Sequence, residues 1–137
     1  AYAAKTKTPF YYEGHLLTYT VVSQHWADET QIITHYIEEC ILKDNTDTTV
    51  GTMSLDALHI INIRTGKAIA AGKFVINFYS GETIEGTFTA KITHYIGTPQ
   101  PPDINGKFVG HGDMHVKGVI YEVSENPSAF VLDGYSW

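Results

Sequence analysis

The stretch TIEGTFTAKITHYI, residues 83–96, carries the clearest structural pattern in the sequence. Its apolar side chains fall on one face of an extended chain, and threonine, glutamate and lysine alternate with them on the other face. The apolar members are Ile84, Phe88, Ala90 and Ile92. Alternation with a period of two residues is typical of a β-strand that buries one face. We therefore predict such a strand here.

Stretches rich in β-branched and aromatic residues recur on both sides of this strand. The predicted strands cover residues 16–22, 32–42, 50–63, 73–79, 83–96, 108–123 and 130–132. Turn residues at 45–47, 64–67 and 80–82 separate several of them, and the prolines between residues 99 and 102 end another. No apolar stripe of helical period interrupts the series. The sequence predicts an all-β chain.

A series of about seven strands joined by short turns has sheet edges that must be protected, and closure into a barrel is the commonest solution. We predict a single antiparallel β-barrel domain of about eight strands over residues 1–137, with a β-sandwich as the alternative. Residues 1–12 show no strand alternation of their own. We expect them to form an extended N-terminal arm.

Charge and composition exclude several classes of function. The 137 residues carry a formal net charge of −6 and contain no cluster of lysine and arginine, which argues against a nucleic-acid partner and against an anionic membrane surface. No apolar run approaches the roughly 20 residues of a membrane span. Phosphate-loop, dinucleotide and zinc-helix motifs are absent from the sequence, so we predict no cofactor.

Two features bear on the cellular compartment. Cys40 is the single cysteine, so the chain has no internal disulfide and no cysteine-based zinc site. The opening residues 1–4, Ala-Tyr-Ala-Ala, have the small-residue character of a signal-peptidase site. We predict a secreted or extracellular protein, with the cytoplasm as the alternative.

Four polar side chains lie among apolar neighbours in the predicted strands: His35, Glu39, His59 and His94. His94 has the parity of the apolar face of residues 83–96, and Glu39 has the parity of His35. Such a histidine is often a hydrogen-bonded core residue; inside a cavity it becomes an acid, a base or a polar anchor. We predict that at least two of the four line one interior cavity and bind a ligand there. No catalytic residue is assigned.

A polar row, His111, Asp113 and His115, follows one face of the predicted strand at residues 108–123. Residues four apart along a strand are separated by roughly 13 Å, too far for two imidazoles to bind one ion unless a bulge bends the chain. We predict that the row faces solvent and that the chain has no metal site.

Aromatic residues gather at both ends of the chain. Phe10, Tyr11 and Tyr12 form a run near the start, and Tyr135 and Trp137 lie at the end. Exposed aromatic groups are uncommon on monomers and enriched in interfaces. We predict a homo-oligomer in which one of these ends packs on a neighbouring subunit; the alternative is an arm that folds back and closes its own barrel.

Glycine-bounded turns occur at residues 42–52, 81–88 and 105–112, in the order Asp-Asn followed by Val-Gly, Gly-Glu-Thr, and Asn-Gly-Lys-Phe. In this order the chain resembles the allene oxide cyclase and dirigent superfamily over about residues 42–123. Asn105 stands where that family usually has threonine. The resemblance implies an eight-stranded barrel that commonly forms trimers. The family's catalytic and pocket residues have no assigned counterparts here, so its reaction is not carried over.

Two classes of function follow. The first is a barrel for a small hydrophobic molecule, either a ligand-binding protein or a cyclase or isomerase of the allene oxide cyclase or dirigent type, because a barrel of about eight strands has interior space for one small ligand. The second is an extracellular structural or self-assembling subunit without catalysis. Whether the chain is an enzyme is left open. An empty barrel interior favours the first class, and a filled one favours the second.

Overall fold

A computed structural model describes residues 6–100, 102–123 and 126–137, with side chains for all of these except residues 123–128. The described residues contain eight antiparallel strands and no helix, so none that could span a bilayer. The strands are β1 Thr8–Trp26, β2 Gln31–Lys43, β3 Thr49–Asn62, β4 Lys67–Phe78, β5 Thr83–Thr93, β6 Asp103–Gly112, β7 Val116–Val123 and β8 Asn126–Ser136.

The strands form one closed barrel in chain order. Closure occurs where the first part of β1 pairs with β8, from Thr8 opposite Ser136 to His15 opposite Ala129. The prediction of an antiparallel eight-stranded barrel is confirmed, and the β-sandwich alternative is wrong. The predicted strand at residues 83–96 corresponds to β5, whose apolar residues face the interior.

The expected N-terminal arm is wrong from Thr8 onward. Residues 8–12 belong to β1 and pair with β8; residues 1–5 lie outside the described part of the chain. Phe10 is buried to 3% exposure, and the Tyr12 ring lies 5.3 Å from that of Phe78. The segment lacks polar alternation because both its inward and its outward residues are aromatic. It forms a strand because it pairs with β8.

The predicted strand at residues 108–123 is two strands, β6 and β7, joined by a turn at residues 113–115. Asp113 holds this turn against the start of β5: its carboxylate accepts a hydrogen bond of 2.7 Å from the Thr83 amide, and its own amide donates to the Thr83 carbonyl. Both contacts join residues 30 positions apart, so Gly112-Asp113 is the only local turn signal in a stretch that otherwise continues the strand pattern.

One end of the barrel, which we call the closed end, carries the turns at residues 44–48, 79–82 and 113–115. Aromatic side chains fill its interior. The Phe108 ring lies 5.8 Å from Phe10 and 6.2 Å from Phe74. Phe74 fits because Gly86 and Gly110 have no side chain: a Cβ at either position would lie within 2.9 Å of its ring. The closed end is therefore sealed by the chain itself.

At the opposite, open end, β1 continues past β8. Residues 17–26, which we call the β1 projection, pair with β2 on one side, and no strand in the described part of the chain pairs with the other side. Bulges between Leu16 and Thr18 and between Val21 and Ser23 bend the projection. The barrel thus has one sealed end and one end with an extended, open-edged hairpin.

Candidate functional site

A cavity of about 150 Å³ occupies the barrel interior towards the open end. Small side chains produce it. Ala70 on β4 and Ala90 on β5 lie directly opposite each other in the sheet, and Ala129 on β8 also lines the space. These alanines leave free volume at the cavity, whereas phenylalanines fill the interior nearer the closed end. Larger apolar groups complete the wall, among them Leu55, Phe88, Ile104, Ile120 and Phe130.

Glu38 carries the carboxylate of this apolar cavity. On the inner face of β2 it lies opposite Tyr19 of β1 and Leu55 of β3. Burial raises the pKa of its carboxyl group above the ordinary value, since the charged form loses hydration. No hydrogen bond or cation among the described residues offsets that loss. The cavity therefore holds a carboxyl group with no partner from the described chain.

Two tyrosines accompany Glu38. Tyr36 lines the cavity, and its ring stacks on that of Tyr19 with centroids 5.3 Å apart and planes 26° apart. Burial, and secondarily the neighbouring Glu38, raises the pKa of both phenols, so both hydroxyls stay protonated across the neutral range. These hydroxyls are therefore available as hydrogen-bond donors.

Cys40 lies next to this group on the inner face of β2. Its side chain is fully buried, and burial, with smaller contributions from Glu38 and Glu39, raises the pKa of its thiol to about 12. A thiol that stays protonated is a poor nucleophile. Cys40 therefore acts as a small buried apolar residue.

Of the four residues from which at least two were predicted to line one cavity, the structure places His35 and Glu39 on the outer wall. The His35 imidazole Nε2 lies 2.6 Å from the Asp56 carboxylate, and Glu39 accepts a 2.7 Å hydrogen bond from the Ser54 hydroxyl. Both faces of β2 are apolar: isoleucines line the outer face, and Tyr36, Cys40 and Leu42 line the inner face. Alternation alone therefore could not assign the interior.

His59 and His94 are brought together on the inner side of the open end. Their Nε2 atoms are 3.3 Å apart, and the small Ala70 opposite His59 leaves room for the rings to meet. Burial lowers the pKa of both imidazoles, and for His59 the neighbouring His94 lowers it further. The residues that line the cavity include neither histidine. The pair is a separate feature of the open end.

Glu38 was missed by the sequence analysis. It shares its parity with Tyr36, Cys40 and Leu42, and the same alternation that discarded it favoured Glu39. A usable signal existed: the apolar residues on the outer face of β2 are all β-branched isoleucines, whereas those on the inner face have the varied sizes that a closed interior needs.

The polar row is divided by the turn between β6 and β7. His111 lies 3.8 Å from Glu85 on the outer wall, Asp113 holds the turn, and the His115 ring stacks on Trp137 at 5.8 Å. All three side chains are exposed, as expected of a solvent-facing row. In the part of the chain that the structure covers, no three His, Cys, Asp or Glu side chains are grouped to hold a metal ion.

Comparisons of the chain with protein-family models, with curated proteins and with solved structures find no match. The resemblance to the allene oxide cyclase and dirigent superfamily therefore stays a prediction.

Proposed function

We propose that this barrel binds a small, mainly apolar molecule in the cavity at its open end. The cavity itself is the observation that carries the proposal. Its volume of about 150 Å³ matches that of engineered apolar cavities that take up benzene. Apolar walls with a few polar groups are the usual composition of a ligand site. The sealed closed end leaves the open end as the route of entry.

A cyclase or isomerase of the allene oxide cyclase or dirigent type is the catalytic form of this proposal. Glu38 would then move the proton, because a carboxyl group with a raised pKa can act as an acid or a base nearer neutral pH. The apolar wall would hold one reactive conformer of the substrate. A ligand-binding protein and an enzyme of this type both require that the cavity binds a molecule, and binding is the function that we propose.

Ligand-detected NMR with toluene and indole tests the proposal. Ala70→Leu fills the cavity and should abolish binding, whereas Ala71→Leu adds the same atoms on the outer face of β4 and should leave binding unchanged. Circular dichroism on both variants checks that the barrel is intact. Failure of the wild-type chain to bind either probe, or equal binding by Ala70→Leu, contradicts the proposal.

The β1 projection supports a second candidate, a self-assembling subunit. Leu17, Val22 and Trp26 are all more than half exposed there. Residues 14–27 contain no Asp, Glu, Lys or Arg, although charges are the usual protection of a free strand edge. We take a second copy of this chain as the occupant. Two copies with a net charge of −6 repel except where their surfaces are uncharged, and an antiparallel pair of identical edges is self-complementary.

Phe10 and Tyr12 pack within their own barrel, whereas Tyr11 and Tyr135 are exposed, so packing through the aromatic ends stays a prediction beside this interface. Light scattering at micromolar concentration should give a dimer for the wild type and a monomer for Val22→Lys. Ile69→Lys, on an exposed position of a strand that is paired on both sides, should remain dimeric. A wild-type monomer, or the trimer that the family resemblance implies, contradicts pairing through this edge.

Secretion of the protein stays a prediction.

A further inference from the structure

The surroundings of Glu38 restrict the chemistry of a ligand in the cavity. The cavity wall contains no Lys, Arg or His among the described residues, and Glu38 has no ion-pair partner there. Glu38 is partly buried, and a carboxylate that has lost part of its hydration without gaining a partner is stabilised by pairing with a cation. The part of the chain that the structure describes does not supply that cation, so a ligand can.

Aromatic rings around the carboxylate favour the same ligand. Tyr36, Phe88 and Phe130 line the cavity, and Tyr19 lies across from Glu38 on β1. The π-face of an aromatic ring attracts cations, and ammonium groups are commonly bound between such rings and a carboxylate. An anionic ligand finds only repulsion from Glu38 here, because no basic group lines the wall.

We propose that the natural ligand is an apolar ammonium ion, a single ring or short hydrocarbon body that carries one protonated amine. Its amine pairs with the Glu38 carboxylate, and its body fills the space beside Ala70, Ala90 and Ala129. The proposal rests on the binding function proposed above and adds the ligand's chemical class.

A neutral ligand with a carbonyl or ether oxygen is the competing chemistry. It requires Glu38 in the protonated form, as a hydrogen-bond donor. The two ligand classes respond oppositely to pH: an ammonium ion binds more tightly as Glu38 ionises, and an oxygen acceptor binds less tightly. This difference makes the class of ligand measurable without knowledge of the natural compound.

Calorimetric titration with benzylamine and with benzyl alcohol, which have nearly the same shape, tests the proposal. The wild-type chain should bind benzylamine about tenfold more tightly than benzyl alcohol, since a hydrogen bond to a charged group exceeds a neutral one by that order. Glu38→Gln should bind benzylamine and benzyl alcohol about equally. Glu39→Gln removes a carboxylate from the adjacent position on the outer wall and should keep the preference.

The outcomes separate the two proposals. Equal or tighter binding of benzyl alcohol by the wild type overturns the ammonium class and leaves the cavity as a binding site. The same preference in Glu38→Gln as in the wild type also overturns it, because the amine then pairs elsewhere. If toluene, benzylamine and benzyl alcohol all fail to bind, the binding function itself is wrong.

Discussion

Single residues in this barrel differ in role according to which side of the wall they occupy. Glu38 and Glu39 are adjacent and chemically identical, yet one lines an apolar cavity and the other accepts a hydrogen bond on the outer wall. The two carboxyl groups therefore form an internal comparison, in which a substitution at one position controls for the same substitution at the other.

Glu38→Gln should stabilise the folded chain near neutral pH. Burial raises the Glu38 pKa, so the native state holds this proton more tightly than the unfolded chain; the stability that this adds is complete below the unfolded pKa and is lost as pH rises through the folded pKa. The Tm of Glu38→Gln should exceed that of the wild type near neutral pH and approach it at about pH 4. Glu39→Gln is the control for the loss of one negative charge. An equal increase in Tm for Glu39→Gln contradicts the prediction.

The His59–His94 pair should make the barrel sensitive to acid. Burial lowers the pKa of both imidazoles below the ordinary value of 6.5, so on acidification the unfolded chain takes up protons before the folded chain does. The free energy of unfolding therefore decreases as the pH falls from about 6.5 through the pKa values of the folded chain. His59→Gln should flatten the fall in Tm over this range. His25→Gln, at an exposed position in the β1 projection, is the control. Parallel Tm profiles for His59→Gln and wild type would show that the pair is not responsible.

At the scale of the elements, a large side chain on one strand packs where the neighbouring strands have small residues. Phe74 on β4 occupies space that Gly86 on β5 and Gly110 on β6 leave free, whereas the opposed Ala70 and Ala90 leave their space empty. The same three strands thus build a filled layer and, above it, the cavity.

Gly110→Ala should destabilise the barrel by about 1–3 kcal/mol, because the added methyl group overpacks the Phe74 ring and also lies close to the Glu85 carbonyl oxygen. Urea unfolding measures the change. In the double variant with Phe74→Leu, the smaller side chain gives the methyl group room, so the total loss should be less than the sum of the two single losses. Strict additivity would mean that the two positions do not interact.

For the whole molecule, closure of the barrel depends on residues that lack an evident strand pattern. The buried side chain of Phe10 lies near the start of β1, in the segment that pairs with β8. The N-terminal segment therefore belongs to the folding unit and is required to seal the closed end.

Phe10→Ala should cost about 3–5 kcal/mol of unfolding free energy, as expected for truncation of a buried aromatic side chain. Tyr11→Ala, one residue later on the exposed outer face, should cost less than about 1 kcal/mol. Thermal unfolding of the two variants provides the measurement. A similar, small loss for both would mean that residues 8–12 are dispensable.

The all-β class, the positions of most strands and the buried face of β5 could be predicted from the sequence, because alternation of apolar and polar residues is local. The tertiary structure decided what alternation leaves open. Both faces of β2 are apolar, so only pairing with β1 and β3 places Glu38 inside and Glu39 outside. The turn at Asp113 and the His59–His94 contact join residues distant in the chain, and the cavity is lined by alanines from three different strands. Such features depend on register between strands, which no single segment encodes.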